Sequence, residues 1–387
     1  MDAIELLSRY RDGERDFKGV SLRGMILSTN SYRPNTLPTM GLANIREPQN
    51  RPHLIGVDLS NADLSEAHLS LVNLSKANLT GANLTGANLS GASLSGTILT
   101  GANLSRVNLE GSHLNWANLQ EADLNHGNLK GADFSSAILL EAILTQSSLV
   151  KAYLIKANLH QAILKNTDLT QANLKDVDLS GADLTQAIIV RANLSGANCT
   201  GADLTKAQML KTNLRHADLT DAFLNSATLL EADLNEANLT RANLSKANLS
   251  KTYLRNVCLN GSHLSGINLS GADLGGIDLR QKLLTGINLA GAYLSEANLE
   301  GALLMDANLN ASNLSSANLS KSCLINADLR NSHLGNANLA DANLMGANLS
   351  GADLRGAILK GAILANAEIK GAKLHGATLP NGKVYNS

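Results

Sequence analysis

The sequence is short of cysteine, proline and aromatic residues, and it has no excess of charge of either sign. Its 387 residues include 3 cysteines, 1 tryptophan and 5 prolines, and no proline lies between residues 53 and 379. Three cysteines without a CxxC motif favour neither a disulfide framework nor a metal site. The 32 lysines and arginines nearly balance the 33 aspartates and glutamates, for a net charge of -1. This balance argues against nucleic acid or an anionic membrane as a partner.

Long apolar runs and enzyme motifs are also absent from the sequence. No window approaches the roughly 18 uninterrupted apolar residues that a transmembrane helix needs. The first residues, MDAIELLSRYRDGERDF, are acidic where a signal peptide would need a basic end and an apolar stretch. There is no GxSxG motif and no P-loop, and no serine stands out as a nucleophile. We therefore expect a cytoplasmic protein that is not an enzyme and has no catalytic residue, metal or cofactor.

What the sequence has in excess is leucine at a fixed interval. From Leu54 to Leu379 every fifth residue is a centre position, and 61 of these 66 positions hold leucine. On a helix these leucines would spread around the whole circumference, and on a straight strand they would alternate between the two faces. A chain that turns one corner every five residues instead returns each leucine to the same interior.

The residues around each centre support a coil with an inside and an outside. We call the residue two before the centre the inward residue, its immediate neighbours the pre-centre and post-centre residues, and the residue two after it the corner residue. The inward residue is alanine in 45 of 66 repeats, and the corner residue is glycine in 24. The pre-centre residue is usually Asn or Asp, and the post-centre residue is commonly Ser or Thr. Such residues favour turns and an outer surface.

The units GANLT, EADLN and GADLT fit the pattern A(D/N)LXX, and the chain resembles the pentapeptide repeat family over about 85 percent of its length. The resemblance implies an all-β fold, a right-handed quadrilateral β-helix with four pentapeptides per coil. We therefore expect about 16 coils and a rod on the order of 80 Å long. The start, ELLSRYRDGERDFKGVSLRGMIL, looks like the N-terminal pattern of many cyanobacterial members.

The breaks in the register divide the chain into five predicted segments. The first holds Ile4, Leu7 and Tyr10 at helical spacing, and the third holds four of the five prolines. The third segment is either a passive linker or, as in gyrase-protecting members of the family, part of the activity. The segments are an N-terminal helical cap at 1–14, a short first run of repeats at 15–29, an inserted loop at 30–52, the β-helix at 53–380 and a C-terminal tail at 381–387.

Lys282 is the only charged residue at an inward position. A buried unpaired ammonium costs several kcal/mol, so we expect the backbone to bulge there and to turn the side chain outward. Ile267, Ile277 and Ile287 are bulky where alanine is usual, which indicates that the same coils are widened. A binding role for Lys282 is the less favoured alternative.

Large apolar residues cluster on one side when the sequence is laid out with twenty residues per coil. They lie at pre-centre and post-centre positions, which point outward and have no core to fill. We call this set the apolar strip and predict that it binds a protein partner, although an ordinary surface patch is the alternative. The apolar strip consists of Leu283, Leu303, Met305, Cys323, Ile325, Met345 and Ile363.

Two functions are compatible with these features. The first is a non-enzymatic structural or protein-interaction scaffold, which binds an unknown protein or forms a homodimer through its C-terminal coils, as related family members commonly do. The alternative, taken from the resemblance, is a DNA-mimicking inhibitor or protector of a type II topoisomerase (gyrase). Mimicry needs an acidic face, but the 14 pre-centre aspartates divide among the four sides as four, four, four and two. The mixed charge therefore disfavours mimicry.

Overall fold

The structure, a computed structural model, describes residues 1–27 and 52–386, which fall into two compact units, Met1–Asp203 and Leu204–Ser387. Nearly all of the predicted inserted loop of residues 30–52 lies outside the described residues. Its role therefore stays a prediction. Each unit has the same local architecture.

The first unit begins with the helix α1, Ala3–Arg11. Asp2 caps its N-terminus, because the Asp2 Oδ1 accepts a hydrogen bond of 2.9 Å from the backbone amide of Ile4. Leu6 is fully buried, whereas Ile4 is 55% exposed. The predicted packing face is therefore wrong at Ile4, because the helix is rotated so that Leu6 takes the buried position.

Contacts join α1 to the first coil. The Tyr10 hydroxyl donates a hydrogen bond of 2.9 Å to the carbonyl oxygen of Ile55. The Arg9 guanidinium lies over the ring of Phe17, 5.4 Å from its centroid. Phe17 is itself buried at the first centre position of the coil.

Twenty residues make one coil of the first unit. Each pre-centre residue forms a parallel β-bridge with the residue twenty positions later, beginning with His53 and Asn73 and continuing to Asp203. The backbone amide of Leu79, for example, donates to the carbonyl oxygen of Ile98 over 2.7 Å. Four successive bridges give the coil four sides. The described residues contain no strand longer than one bridge, because the chain turns a corner after each of them.

The first coil contains an insertion at one of its corners. Asp16 pairs with Asp58, which is 42 residues later (58 − 16), and the next side of the coil begins at His53. Residues 15–27 and 52–56 therefore belong to one coil that carries 22 additional residues (42 − 20). The different register of the first run of repeats is the result of this insertion.

The second unit repeats the same coil, from the bridge between Gln208 and Thr228 onward to Thr378. After the last coil the chain folds back, and Val384 forms an antiparallel bridge with Thr378. The predicted tail of residues 381–387 thus begins with a turn that contacts the coil.

The corners explain the frequency of glycine two residues after each centre. All 65 corner residues from 56 to 376 have a left-handed φ, and 41 of them are not glycine. None of these 41 residues is β-branched, because a branched Cβ is most strongly disfavoured at positive φ. Asn61 and Trp116, both with a φ of 56°, are typical. The recurring turn therefore restricts the residue type at every fifth position.

Candidate interaction surface

The apolar strip forms a continuous column in the second unit. Bridges join Leu283 to Leu303, Leu303 to Cys323, Cys323 to Asn343, and Asn343 to Ile363. The five residues thus lie on one side of successive coils, spaced by roughly 4.8 Å. Asn343, which is polar, interrupts the column one coil before its end.

The post-centre residues of the strip stack in a second, parallel column. The carbonyl oxygens of Met305, Ile325 and Met345 accept hydrogen bonds of 2.8 to 2.9 Å from corner amides of the preceding coil. Met345 is 41% exposed, and Met305 and Ile325 are half-buried. Leu283 is 67% exposed. The structure therefore brings the predicted strip residues together on one outward surface.

A polar column borders the strip on its corner side. The side chain of Asn326 donates to the Asp306 carboxylate over 3.2 Å. Gly286 and Gly346 occupy the same column and have no side chain that could cover the neighbouring methionines. An apolar centre with a polar rim is the usual composition of a protein interface.

Lys282 differs from its prediction. The local turn is kept, since the amide of Lys282 still makes the usual hydrogen bond to the carbonyl oxygen of Leu279, at 3.2 Å. The side chain is half-buried, and its Nζ donates a hydrogen bond of 2.6 Å to the carbonyl oxygen of Leu259 in the preceding coil. This partner makes partial burial of the ammonium possible without an outward turn.

The coils on either side of this contact are partly separated. Among the described residues no bridge joins Cys258 to Asp278 or His263 to Leu283, although both pairs stand twenty residues apart. We call this region, residues 255–266 and 275–285, the seam.

The seam lets water reach the core. The inward residue Val257 is 9% exposed, and the centre residues Leu259 and Leu264 are each 7% exposed. In the closed coil that follows, Leu299 and Leu304 have no exposed surface. The missing bridges and the wetter core thus coincide.

Cys258 lies at the edge of the seam. Its Sγ is 3.2 Å from the hydroxyl of Thr240. The Thr240 hydroxyl, the backbone amide of Asn260 and the positive charge of Lys282 together lower the pKa of the Cys258 thiol. The thiol is therefore more readily ionised than an ordinary cysteine.

A surface depression beside the seam was not predicted from the sequence. Tyr253 and Tyr293 flank Asp273 in one bridge column and are 51% and 56% exposed. Arg255 donates a hydrogen bond of 2.8 Å to the Asp273 carboxylate, and Lys251 completes the rim. The layout of twenty residues per coil places the two tyrosines in one column and could have revealed the site.

In the part of the chain that the structure describes, no three histidine, cysteine or acidic side chains come together as a metal site would require. Residues 1–27 and 52–386 also include no helix with the length and apolar character needed to cross a bilayer.

A family comparison agrees with this architecture. The profile described as "Pentapeptide repeats" matches residues 53–149, 152–189, 191–281, 283–320 and 322–381 in overlapping segments. The chain belongs to the pentapeptide repeat family. Pentapeptide repeat proteins are right-handed quadrilateral β-helices and are generally non-enzymatic structural or interaction proteins.

Solved pentapeptide repeat proteins are similar to this chain. HetL, involved in heterocyst differentiation regulation in the cyanobacterium Nostoc sp. strain PCC 7120, is 24% identical over 100% of both chains, with a TM-score of 0.20. A pentapeptide repeat protein of the cyanobacterium Cyanothece 51142 is 32% identical over 31% of this chain and 91% of its own, with a TM-score of 0.28. QnrB1, a plasmid-mediated fluoroquinolone resistance protein, is 16% identical over 59% of this chain and 91% of its own, with a TM-score of 0.31. Comparison with curated proteins gives no match.

Proposed function

We propose that the protein is a non-enzymatic scaffold that binds another protein, or a second copy of itself, through the apolar strip. The observation that carries the proposal is the exposure of Leu283 (67%), Ile363 (51%) and Met345 (41%) in one short surface region. Removing apolar area from water contributes about 25 cal/mol per Å² to the free energy of association, so burial of these side chains by a partner stabilises the complex.

Self-association through the C-terminal coils is the form of binding that we favour. The strip extends to Ile363 in the last coil, and Ile369, a centre residue of the same coil, is 48% exposed in the described chain. The strip alone spans four coil intervals, or roughly 19 Å. A strip of this height covers only on the order of a few hundred Å². A standard interface buries ~800 Å² per partner, so we expect a weak, concentration-dependent dimer.

The test is to place charge on the strip without touching the core. Replacing Met305, Ile325 and Met345 together with aspartate should leave the circular dichroism spectrum unchanged and abolish the dimer in sedimentation velocity at high protein concentration. The matched control carries three aspartates at post-centre positions of another side, in the variant Ala290→Asp, Asn310→Asp, Ser350→Asp, and should dimerise as the parent does. A parent that stays monomeric, with a triple variant that still captures any partner found by pull-down, would refute the role of the strip.

We also propose about 16 coils in all, from the 66 repeats, with α1 as the cap of the first coil. The full burial of Leu6 and the hydrogen bond from Tyr10 to Ile55 support the capping role.

A cytoplasmic location is supported by the free thiols of Cys258 and Cys323. The N-terminal sequence pattern supports a cyanobacterial origin.

Topoisomerase binding by DNA mimicry is the less favoured function. Several aspartates that would imitate phosphates are neutralised by a neighbouring arginine on the same surface. Asp328, for example, is bound by Arg330, whose Nε donates a hydrogen bond of 2.8 Å to Oδ1. The other aspartates paired with arginine in this way include Asp233, Asp273, Asp278 and Asp353.

A further inference from the structure

Oversized inward residues are stacked on one another in the region of the seam. In a regular coil an alanine lies over an alanine, and the backbones approach to bridging distance. Elsewhere in the second unit no two inward residues larger than threonine are stacked in neighbouring coils. Here Ile277 follows Val257 and Ile287 follows Ile267, each twenty residues later, and between them the long Lys282 follows the small Ser262.

The four sides of this coil respond differently to the added bulk. The bridges from Tyr253 to Asp273 and from Asn268 to Asn288 are intact. The two sides between them have lost their bridges. Two adjacent sides are thus open while the other two stay paired, which is the geometry of a hinge.

Lys282 explains why the open sides stay apart. In the first unit the Thr97 and Thr167 hydroxyls donate to carbonyl oxygens 23 residues earlier, over 3.1 and 2.8 Å. The coils remain bridged at both threonines. Lys282 makes the same contact with Leu259, also 23 residues earlier. Its four methylene groups need more room than a hydroxyl, so the contact is made with the coils held further apart.

We propose that the seam is a hinge in the second unit and that Lys282 is the latch that keeps its open sides apart. The part that ends near residue 267 and the part that begins near residue 278 swing about the two paired sides. Every residue of the apolar strip lies on the C-terminal side of the open edge, so the strip moves as one body. The hinge does not depend on whether the strip has a partner.

Hydrogen exchange of the full chain, followed by mass spectrometry, tests the hinge directly. In the parent, the unbonded amides of peptides 256–268 and 276–288, such as those of Leu259, Leu264 and Leu283, should exchange at least about 100-fold faster than the equivalent amides of peptides 296–308 and 316–328 from closed coils. In the double variant Ile277→Ala, Lys282→Ala, both seam peptides should slow to the rate of the closed coils. The single variant Lys282→Ala should slow chiefly the amides near Leu264 and Leu283.

A lysine introduced at an inward position of a closed coil provides the matched control. Ala342 is a fully buried inward residue on the same side of the coil, in a region that has its bridges. Ala342→Lys should open a new fast-exchanging segment around Cys323 and Asn343 and leave residues 256–288 as they are in the parent. The proposal is overturned if the parent seam exchanges as slowly as closed coils, or if the double variant leaves its exchange unchanged.

Discussion

The closed coils of residues 288–358 and the seam are built from the same five-residue unit, yet only the closed coils keep an unbroken ladder. Leucine occupies the centre positions in both regions. The difference lies at the inward position, where alanine and serine are replaced by isoleucine and lysine. The size of the inward residue therefore sets the distance between coils, and leucine supplies the core once that distance is set.

The comparison also shows that bulk does not open every side. Ile287 lies over Ile267, but the bridge between Asn268 and Asn288 persists. On the next side towards the N-terminus, Lys282 has a polar group that must reach an acceptor, and the ladder is lost. A partly buried hydrogen bond to the ammonium is more favourable than a partly buried charge without a partner, and the backbone bridges are lost in exchange.

Removing a centre leucine should have the largest effect and should differ between the two regions. We expect Leu304→Ala in a closed coil to lower the free energy of unfolding by about 3–4 kcal/mol. Leu264→Ala in the seam should cost about 1–2 kcal/mol less, because a site already open to water relaxes into the cavity. Urea denaturation of both variants measures the difference. Equal losses would mean that the core of the seam is packed as tightly as that of the closed coils.

The ion pairs should respond to acid. Hydrogen bonds from the Arg355 guanidinium lower the pKa of Asp353 in a closed coil to about 2, against the opposing effect of partial burial. Because the folded pKa is below the ordinary value of about 3.9, the contribution of the pair is complete above that pH and is lost as the pH falls towards 2. Asp353→Asn should therefore lower the urea midpoint at pH 7.

The difference between Asp353→Asn and the parent should shrink as the pH falls from 4 to 2. The matching variant in the seam is Asp278→Asn, because hydrogen bonds from Arg280 also lower the pKa of Asp278. A difference that stays constant down to pH 2 would show that the charge of the carboxylate is not responsible.

Replacing a corner residue with glycine should change the free energy of unfolding less, and by the same amount in both regions. Gln281 in the seam has a φ of 56°, and Glu296 in a closed coil has a φ of 60°. Glycine at either position should raise the free energy of unfolding by about 0.3–1 kcal/mol, since relief of the left-handed strain exceeds the entropy that glycine adds to the unfolded chain. Thermal denaturation measures the gain. Glu296→Ala is the control, and a gain as large as that of glycine would rule out relief of φ as the cause.

The last prediction is that the protein has no effect on gyrase. The protein should leave DNA supercoiling by gyrase unchanged at micromolar concentration, because its net charge is -1 and its aspartates are interspersed with basic residues. A supercoiling assay measures this. Strong inhibition that disappears with added salt would favour DNA mimicry instead.

The sequence alone predicts the core of each coil but not the seam. Sixty-one leucines in register fix the interior, because only one side of the five-residue unit is apolar. The conformation of Lys282 could not be predicted, since a long side chain can reach solvent or a carbonyl oxygen, and the choice depends on how far neighbouring coils separate. The rotation of α1 was missed at Ile4 for a similar reason: the buried face is chosen by the coil that the helix contacts.

The backbone hydrogen bonds between coils reach only 19 to 21 residues along the chain, as from Leu79 to Ile98 and from Ile98 back to Ala77. Most β-sheet proteins must bring distant segments together before they gain stability. Here a coil can close soon after it leaves the ribosome, so at about 5–20 residues per second one coil is added every few seconds of synthesis. The first coil is the exception, because the bridge of Asp16 cannot form until Asp58 has been synthesised. The chain therefore acquires structure in nearly the order in which it is made, and its N-terminal coil closes only after the insertion has been synthesised.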